Sequence, residues 1–153
     1  MRASLVVIPT YNEAESIPKI LDGLKNLDVD VLVIDDGSPD GTADIVRSNK
    51  IEVIERKGKQ GLGSAYREGF SIAIDRGYTY VIQMDADGSH QLKDLEKMMD
   101  WIGSADLLIG SRWVKDGGIA NWSRTRQLIS KSANNYANGL LSLGIKDTTS
   151  GFR

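Results

Sequence analysis

Short apolar, β-rich runs alternate along this chain with segments of helical period. The runs are "SLVVIP" (4–9), "VLVID" (31–35), "IEVIE" (51–55), "YVIQMD" (80–85) and "DLLIGS" (106–111). Between them Ile17, Ile20, Leu21 and Leu24 recur at i, i+3, i+4 and i+7, an apolar stripe suited to packing on a sheet. Pro18 is compatible with that helix because it falls in the first turn. Further helices are expected near 41–48, 62–76, 91–102 and 124–143. Strands alternating with helices predict an α/β fold with a parallel sheet. Ligands of such sheets collect at the carboxyl ends of the strands. Three polar clusters fall there: "PTYNE" (9–13), "DDGSPDGT" (35–42) and "DADGSH" (85–90).

At 153 residues and 41% hydrophobic side chains, the chain suits one domain with one sizeable core. Its 19 basic and 21 acidic residues leave a net charge of −2, which points to no nucleic-acid partner. The distribution is uneven. Arg112, Lys115, Arg124, Arg126 and Lys131 face only Asp116 between positions 112 and 131, a stretch suited to an anion. The lack of cysteine fits a reducing compartment. No apolar run approaches the roughly 18 residues of a membrane span, and the start is too short for a signal-peptide core. The chain is not expected to cross a membrane by itself.

The most specific chemistry lies in Asp85 and Asp87. In extended backbone their side chains point the same way, and two carboxylates so close repel unless a proton or cation lies between them. Mg²⁺ or Mn²⁺, hard ions that also take phosphate oxygens, are the natural occupants. Taken alone, the pair equally fits a helix cap and a turn. Asp85, Asp87, Ser89 and Glu96 fall on EF-hand positions, but His90 stands where that loop needs glycine and a strand leads in. "GLGSAYREG" lacks the third glycine of a dinucleotide loop, and no Walker A sequence occurs. His90 is the one histidine, and it reads as a loop or helix-start residue rather than a catalyst.

Taken together, "VVIPTYNEAESI", "VIDDGSPDGT", "GLGSAYREGF", "MDADGSH", "GSRW" and "DTTSGFR" resemble the family 2 glycosyltransferases, specifically the polyprenyl (dolichyl) phosphate mannose synthases. The resemblance runs the length of the chain. It implies a GT-A fold, a Rossmann-like and mainly parallel sheet flanked by helices. It also implies transfer of mannose from GDP-mannose to a polyprenyl phosphate with inversion at the anomeric carbon. A nucleotide-sugar half over about 1–90 and an acceptor half over about 91–153 are expected within the single domain. The family continues past "DTTSGFR", so a C-terminally truncated chain is expected.

By that resemblance Pro9, Tyr11, Glu13, Ile34 and Asp36 line the donor pocket, and Asp85, Ala86 and Asp87 take the diphosphate and metal. Asp36 can accept hydrogen bonds from guanine or ribose. Tyr11 offers a ring for stacking, or else for core packing. Ser89 stands where some members carry a longer polar side chain, which leaves metal preference open. Arg112 and Arg126, with Ser130 one turn along the same helix, are assigned to the acceptor phosphate, a task for which the guanidinium fork is well shaped. A solvated helix face is the alternative for Arg124, Arg126 and Lys131. The glycine-paired loop 114–122 is expected to be mobile. Trp113, Val114, Ile119 and Trp122 there either touch a bilayer or lie in the core. The expected setting is the cytoplasmic face of a membrane, with or without a separate membrane subunit. UDP-glucose as donor, and a catalytically silent nucleotide-binding module, are the competing readings.

Overall fold

A computed structural model describes residues 4–114 and 123–153, without the side chain of Arg126. In chain order the elements are β1 (Ser4–Thr10), α1 (Ile17–Leu24), β2 (Asp30–Asp35), α2 (Thr42–Ser48) and β3 (Glu52–Glu55), then α3 (Leu62–Asp75), β4 (Tyr80–Gln83), α4 (Leu92–Met99) and α5 (Arg124–Leu141). The four strands form one parallel sheet in the order β3-β2-β1-β4.

The apolar run of β1 follows from its central place. Val6 and Ile8 face α1, α2 and α4 in one core layer, whereas Leu5 and Val7 face α3 in the other. A strand covered on both faces has no side left for alternating polar residues. Ile17, Ile20, Leu21 and Leu24 of α1 are all buried, as their spacing predicts, with Pro18 in the first turn. Pro9 is tolerated because pairing with β4 ends at Val7↔Gln83, whereas pairing with β2 continues through Pro9↔Ile34.

The expected fifth strand at 106–111 does not form. The Gln83 N–H donates to the carbonyl of Arg153 (2.6 Å), and the Gly110 N–H donates to the carbonyl of Phe152 (2.9 Å). The stretch 150–153 therefore lies between β4 and the expected strand. "DLLIGS" meets this short segment where it would have needed β4.

After β3 the chain crosses back over β1 to lay down β4 on the other side. The reversal of winding at β1 and β4 makes a crevice at their carboxyl ends. The loops beginning at Tyr11 and Asp85 flank it.

α5 is amphipathic in the unexpected sense. Leu128, Ile129, Tyr136 and Leu140 are exposed, whereas Ser130, Asn134 and Asn138, spaced by one turn, hold the segment after the helix. Asn134 Oδ1 accepts from the Thr148 N–H and hydroxyl, and Asn138 exchanges two bonds with the backbone of Ile145. This polar ladder fastens 145–149 to the helix. The expected mobile loop, with Ile119 and Trp122, lies outside the described residues.

Candidate active site

The loops after β1 and β2 are stitched together by short polar side chains. Asp35, fully buried, accepts from the Thr10 hydroxyl (2.7 Å), the Ser38 hydroxyl (2.6 Å) and the Ser38 N–H (2.8 Å). The N–H groups of Asn12, Glu13 and Ala14 donate to Ser38, Thr42 and Asp40 respectively. The Thr42 hydroxyl donates to Asp40 and draws that carboxyl below its ordinary pKa. "DDGSPDGT" is rich in residues that bond neighbouring backbone in this way, which is the signal by which the stitching can be found.

The clamp presents Tyr11 outward, 38% exposed, with the Lys59 ammonium 4.2 Å from its ring centroid. Core packing of Tyr11 is thereby ruled out, and its ring is accessible for stacking. Glu13 is half-buried and its carboxylate accepts from the Ser16 hydroxyl. Pro9 is half-buried at the strand end.

Two residues expected at the donor pocket have buried side chains. Ile34 is fully buried among Leu5, Val7, Leu32 and Tyr66, so its side chain presents no surface to a nucleotide. Asp36 is buried and ion-paired with the equally buried Arg56, and it accepts from the N–H groups of Gln60 (3.1 Å) and Gly61 (2.9 Å). It anchors the loop before α3. Ala86 is likewise buried in the core.

Past the end of β4 the alternation persists. Ile82, Met84 and Ala86 are buried on one side, Asp85 is half-buried on the other, and Asp87 is exposed. Asp85 is held from three directions. Its Oδ1 accepts from the Tyr66 hydroxyl (2.7 Å), its N–H donates to His90 Nδ1 (2.9 Å), and its Oδ2 lies 3.7 Å from His90 Nε2. Burial first, and Asp85 second, push the Tyr66 pKa far up, which keeps that hydroxyl a donor. His90 stacks on Phe152 with centroids 4.7 Å apart. Burial lowers its pKa against the opposing pull of Asp85 and Asp87. A neutral imidazole whose Nδ1 is committed to backbone fits a clamp on Asp85.

Asp87 Oδ1 accepts from the Ser89 N–H (2.9 Å). Burial opposes its ionisation, but the Ser89 bonds and the neighbouring His90 outweigh it and leave the pKa below the ordinary carboxylate value. A Cβ on Gly151 would lie 3.3 Å from Asp85 Oδ2, so glycine keeps that oxygen uncrowded. Among the described residues no third His, Cys, Asp or Glu joins these two as a cluster. Two hard carboxylates with room for outside oxygens suit an ion such as Mg²⁺ or Mn²⁺ that shares a substrate's phosphates.

On the other flank the structure joins residues that sequence reading kept separate. Arg112 Nε and Nη2 donate to Asp147 Oδ2 (2.8 Å) and Oδ1 (2.7 Å), and the Arg112 N–H donates to Oδ2 (3.1 Å). The Nε–Nη2 edge of the guanidinium thus grips Asp147. Arg112 Nη2 also donates to the Thr149 hydroxyl (2.6 Å), which in turn lies 3.0 Å from Ser130 Oγ. Thr149, which sequence reading missed, therefore bridges Arg112 and Ser130. Arg126 lies in α5, one turn before Ser130. Lys131 is not a bare surface cation, for its ammonium sits 4.8 Å from the centroid of the half-buried Trp113 ring. Asp147 and Thr149 belong to "DTTSGFR", whose polar run is the signal that reveals them.

Known proteins resemble the chain over nearly its whole length. The chain is 43% identical to polyprenol monophosphomannose synthase of Mycolicibacterium smegmatis, over 98% of this chain and 60% of that protein. It is 43% identical to undecaprenyl-phosphate mannosyltransferase of Micrococcus luteus, over 97% of this chain and 64% of that protein. The chain thus spans less than two thirds of the length of these curated relatives. Among solved structures, the mannosyltransferase PcManGT of Pyrobaculum calidifontis, in complex with GDP-Man and Mn²⁺, is 26% identical with a TM-score of 0.54, over 65% of this chain and 32% of that one. Glucosyl-3-phosphoglycerate synthase of Mycobacterium tuberculosis, in complex with Mn²⁺, UDP and glucosyl-3-phosphoglycerate, superposes over 99% of this chain and 55% of that one, with a TM-score of 0.67. At 21% identity that likeness is one of fold, and the fold is GT-A. The model of glycosyl transferase family 2 matches residues 5–153, and the chain belongs to that family.

Proposed function

We propose that this chain carries the catalytic centre of an inverting, metal-dependent hexosyltransferase that moves mannose from GDP-mannose to a polyprenyl phosphate. One observation carries the reading: Arg112 and Ser130 are joined through Thr149 on a segment whose Gly151 packs against Asp85. A grip for an acceptor phosphate then lies beside carboxylates suited to a cation on the donor diphosphate. Two relatives at 43% identity bear the names of enzymes with polyprenyl acceptors and mannosyl transfer, which supports the choice of both substrates.

Tyr11, Glu13 and Pro9 form the donor side at the end of β1, and Asp85 and Asp87 the diphosphate side at the end of β4. When bound there, a divalent cation supplies positive charge against the negative charge growing on the departing GDP. Tyr66 and His90 fix the Asp85 carboxylate so that it need not reorient. On the opposite face Arg112 and Ser130 position the acceptor phosphate for attack on the anomeric carbon, a task the family resemblance also gives to Arg126. A phosphate monoester with a second pKa near about 6 is largely ionised at neutral pH, so no general base is needed and His90 is not called on.

The polar acceptor group hangs from a lipid, which places the work at a membrane surface, and we assign it to the cytoplasmic face. No helix among the described residues is long and apolar enough to cross a membrane. The exposed Leu128, Ile129, Tyr136 and Leu140 of α5 suit contact with lipid or with a separate membrane subunit. The test is transfer of labelled mannose from GDP-mannose to a short polyprenyl phosphate with Mn²⁺. Transfer abolished by EDTA is the expected result. Equal or better transfer from UDP-glucose would replace the donor, and donor binding without turnover would leave a nucleotide-binding module.

A further inference from the structure

Three groups converge at the acceptor end of the site, and they are unequally placed to meet a ligand. Ser130 is buried, and the Arg112 side chain is only 20% exposed with its Nε–Nη2 edge committed to Asp147. Thr149 is exposed. Its hydroxyl accepts from Arg112 at 2.6 Å and stands 3.0 Å from Ser130 Oγ, while its bond to Asp147 Oδ1 is longer, at 3.1 Å. Asp147 also offsets the Arg112 charge, so the positive count along 112–131 overstates what an incoming anion meets.

We propose that Thr149 is a direct hydroxyl ligand of the acceptor phosphate, and that Asp147 is the positioning residue that holds Thr149 and Arg112 around it. The inference rests on the polyprenyl-phosphate reading of the site.

The chemistry is that of one proton with two possible acceptors. The Thr149 O–H faces Asp147 across a bond of 3.1 Å, longer than the two guanidinium bonds to that carboxylate. A doubly charged phosphate competes for that proton, and Asp147 loses little because the Arg112 fork remains on it. The Arg112 bond to the Thr149 oxygen polarises the hydroxyl and makes it a better donor toward the anion. The Ser130 hydroxyl supports Thr149 from beneath. Position 149 also has the right reach. Gly151, packed against Asp85, is two residues away, at most about 7 Å of extended chain. A phosphate on Thr149 therefore sits within a sugar's breadth of the diphosphate carboxylates. The ladder of Asn134 and Asn138 fixes the approach of 145–149, so the hydroxyl is presented from a braced segment.

The experiment is calorimetric titration of the chain, preloaded with GDP and Mn²⁺, with farnesyl phosphate and separately with farnesol. Thr149→Val is expected to weaken farnesyl phosphate about tenfold or more, the usual worth of a hydrogen bond to a charged group. GDP·Mn²⁺ affinity should not change, and Thr149→Ser should restore wild-type phosphate binding. Wild-type farnesyl phosphate affinity in Thr149→Val would overturn the inference and leave the reading of the site intact. Parallel loss of GDP and phosphate binding in both variants would overturn it too, because position 149 would then serve the fold alone. If the wild-type chain binds farnesyl phosphate no tighter than farnesol, the acceptor-phosphate reading and the inference fail together.

Discussion

Replacing Asp147 with alanine removes the carboxylate that holds Arg112 and Thr149. The residue is 1% exposed and its carboxylate accepts four bonds: Arg112 N–H at 3.1 Å, Nε at 2.8 Å, Nη2 at 2.7 Å and the Thr149 hydroxyl at 3.1 Å. Deleting one member of a buried pair costs about 3–5 kcal/mol, because the remaining charge is stranded. Arg112 is 20% exposed and regains some water, so the lower end applies, about 3 kcal/mol. Against a total of about 5–15 kcal/mol this is a large fraction. At a slope of about 2 kcal/mol per molar urea, the unfolding midpoint should fall by about 1.5 M. The pH dependence supplies a second check. Burial works against ionised Asp147, but its bonds to Arg112 and Thr149 and the Arg112 charge outweigh that and hold its pKa below the ordinary 3.8. A carboxyl depressed on folding stabilises fully above its unfolded pKa and loses the contribution as pH falls through the lower folded value. The gap between wild type and Asp147→Ala should be constant from pH 7 to 5 and shrink below about pH 4. A gap under about 1 kcal/mol at neutral pH, or one that persists undiminished at about pH 2, would refute the reasoning.

Tyr66→Phe keeps the ring in the core and removes the donor to Asp85, so Mn²⁺ affinity in the presence of GDP should fall about tenfold while stability drops by about 1 kcal/mol. Calorimetry showing unchanged Mn²⁺ binding would mean that Asp85 is not a ligand. Arg56→Met strands Asp36 in a site where the two side chains are 4% and 8% exposed, so the melting temperature should fall by about 10 °C. Adding Asp36→Leu should recover part of that loss, and a fall under about 2 °C in the single variant would argue against a buried pair.

Much of this molecule is legible in its residues, because the signals are local. The stripe Ile17, Ile20, Leu21, Leu24 determines α1 and the face it buries, and the apolar run of β1 declares a strand covered on both sides. The pair Asp85 and Asp87 is readable for the same reason, since alternation at the end of β4 needs no distant partner to aim it. The family motifs singled out Arg112 and Ser130, which the fold brings together.

Pairing across long separations is what only the tertiary structure decided. Arg112 and Asp147 stand 35 residues apart, and nothing near either one announces that a carboxylate will occupy the guanidinium edge. Nothing near Asp36 announces that the loop 25 residues later closes on it. "DLLIGS" carries the composition of a strand, yet a strand exists only where a neighbour supplies hydrogen bonds, and the last residues of the chain lie between it and β4. The order β3-β2-β1-β4, which opens the crevice between Tyr11 and Asp85, is likewise a property of packing. Backbone propensity and periodicity are written within a few residues, whereas the partner of a buried charge or a sheet edge is chosen by the whole chain's competition to satisfy it.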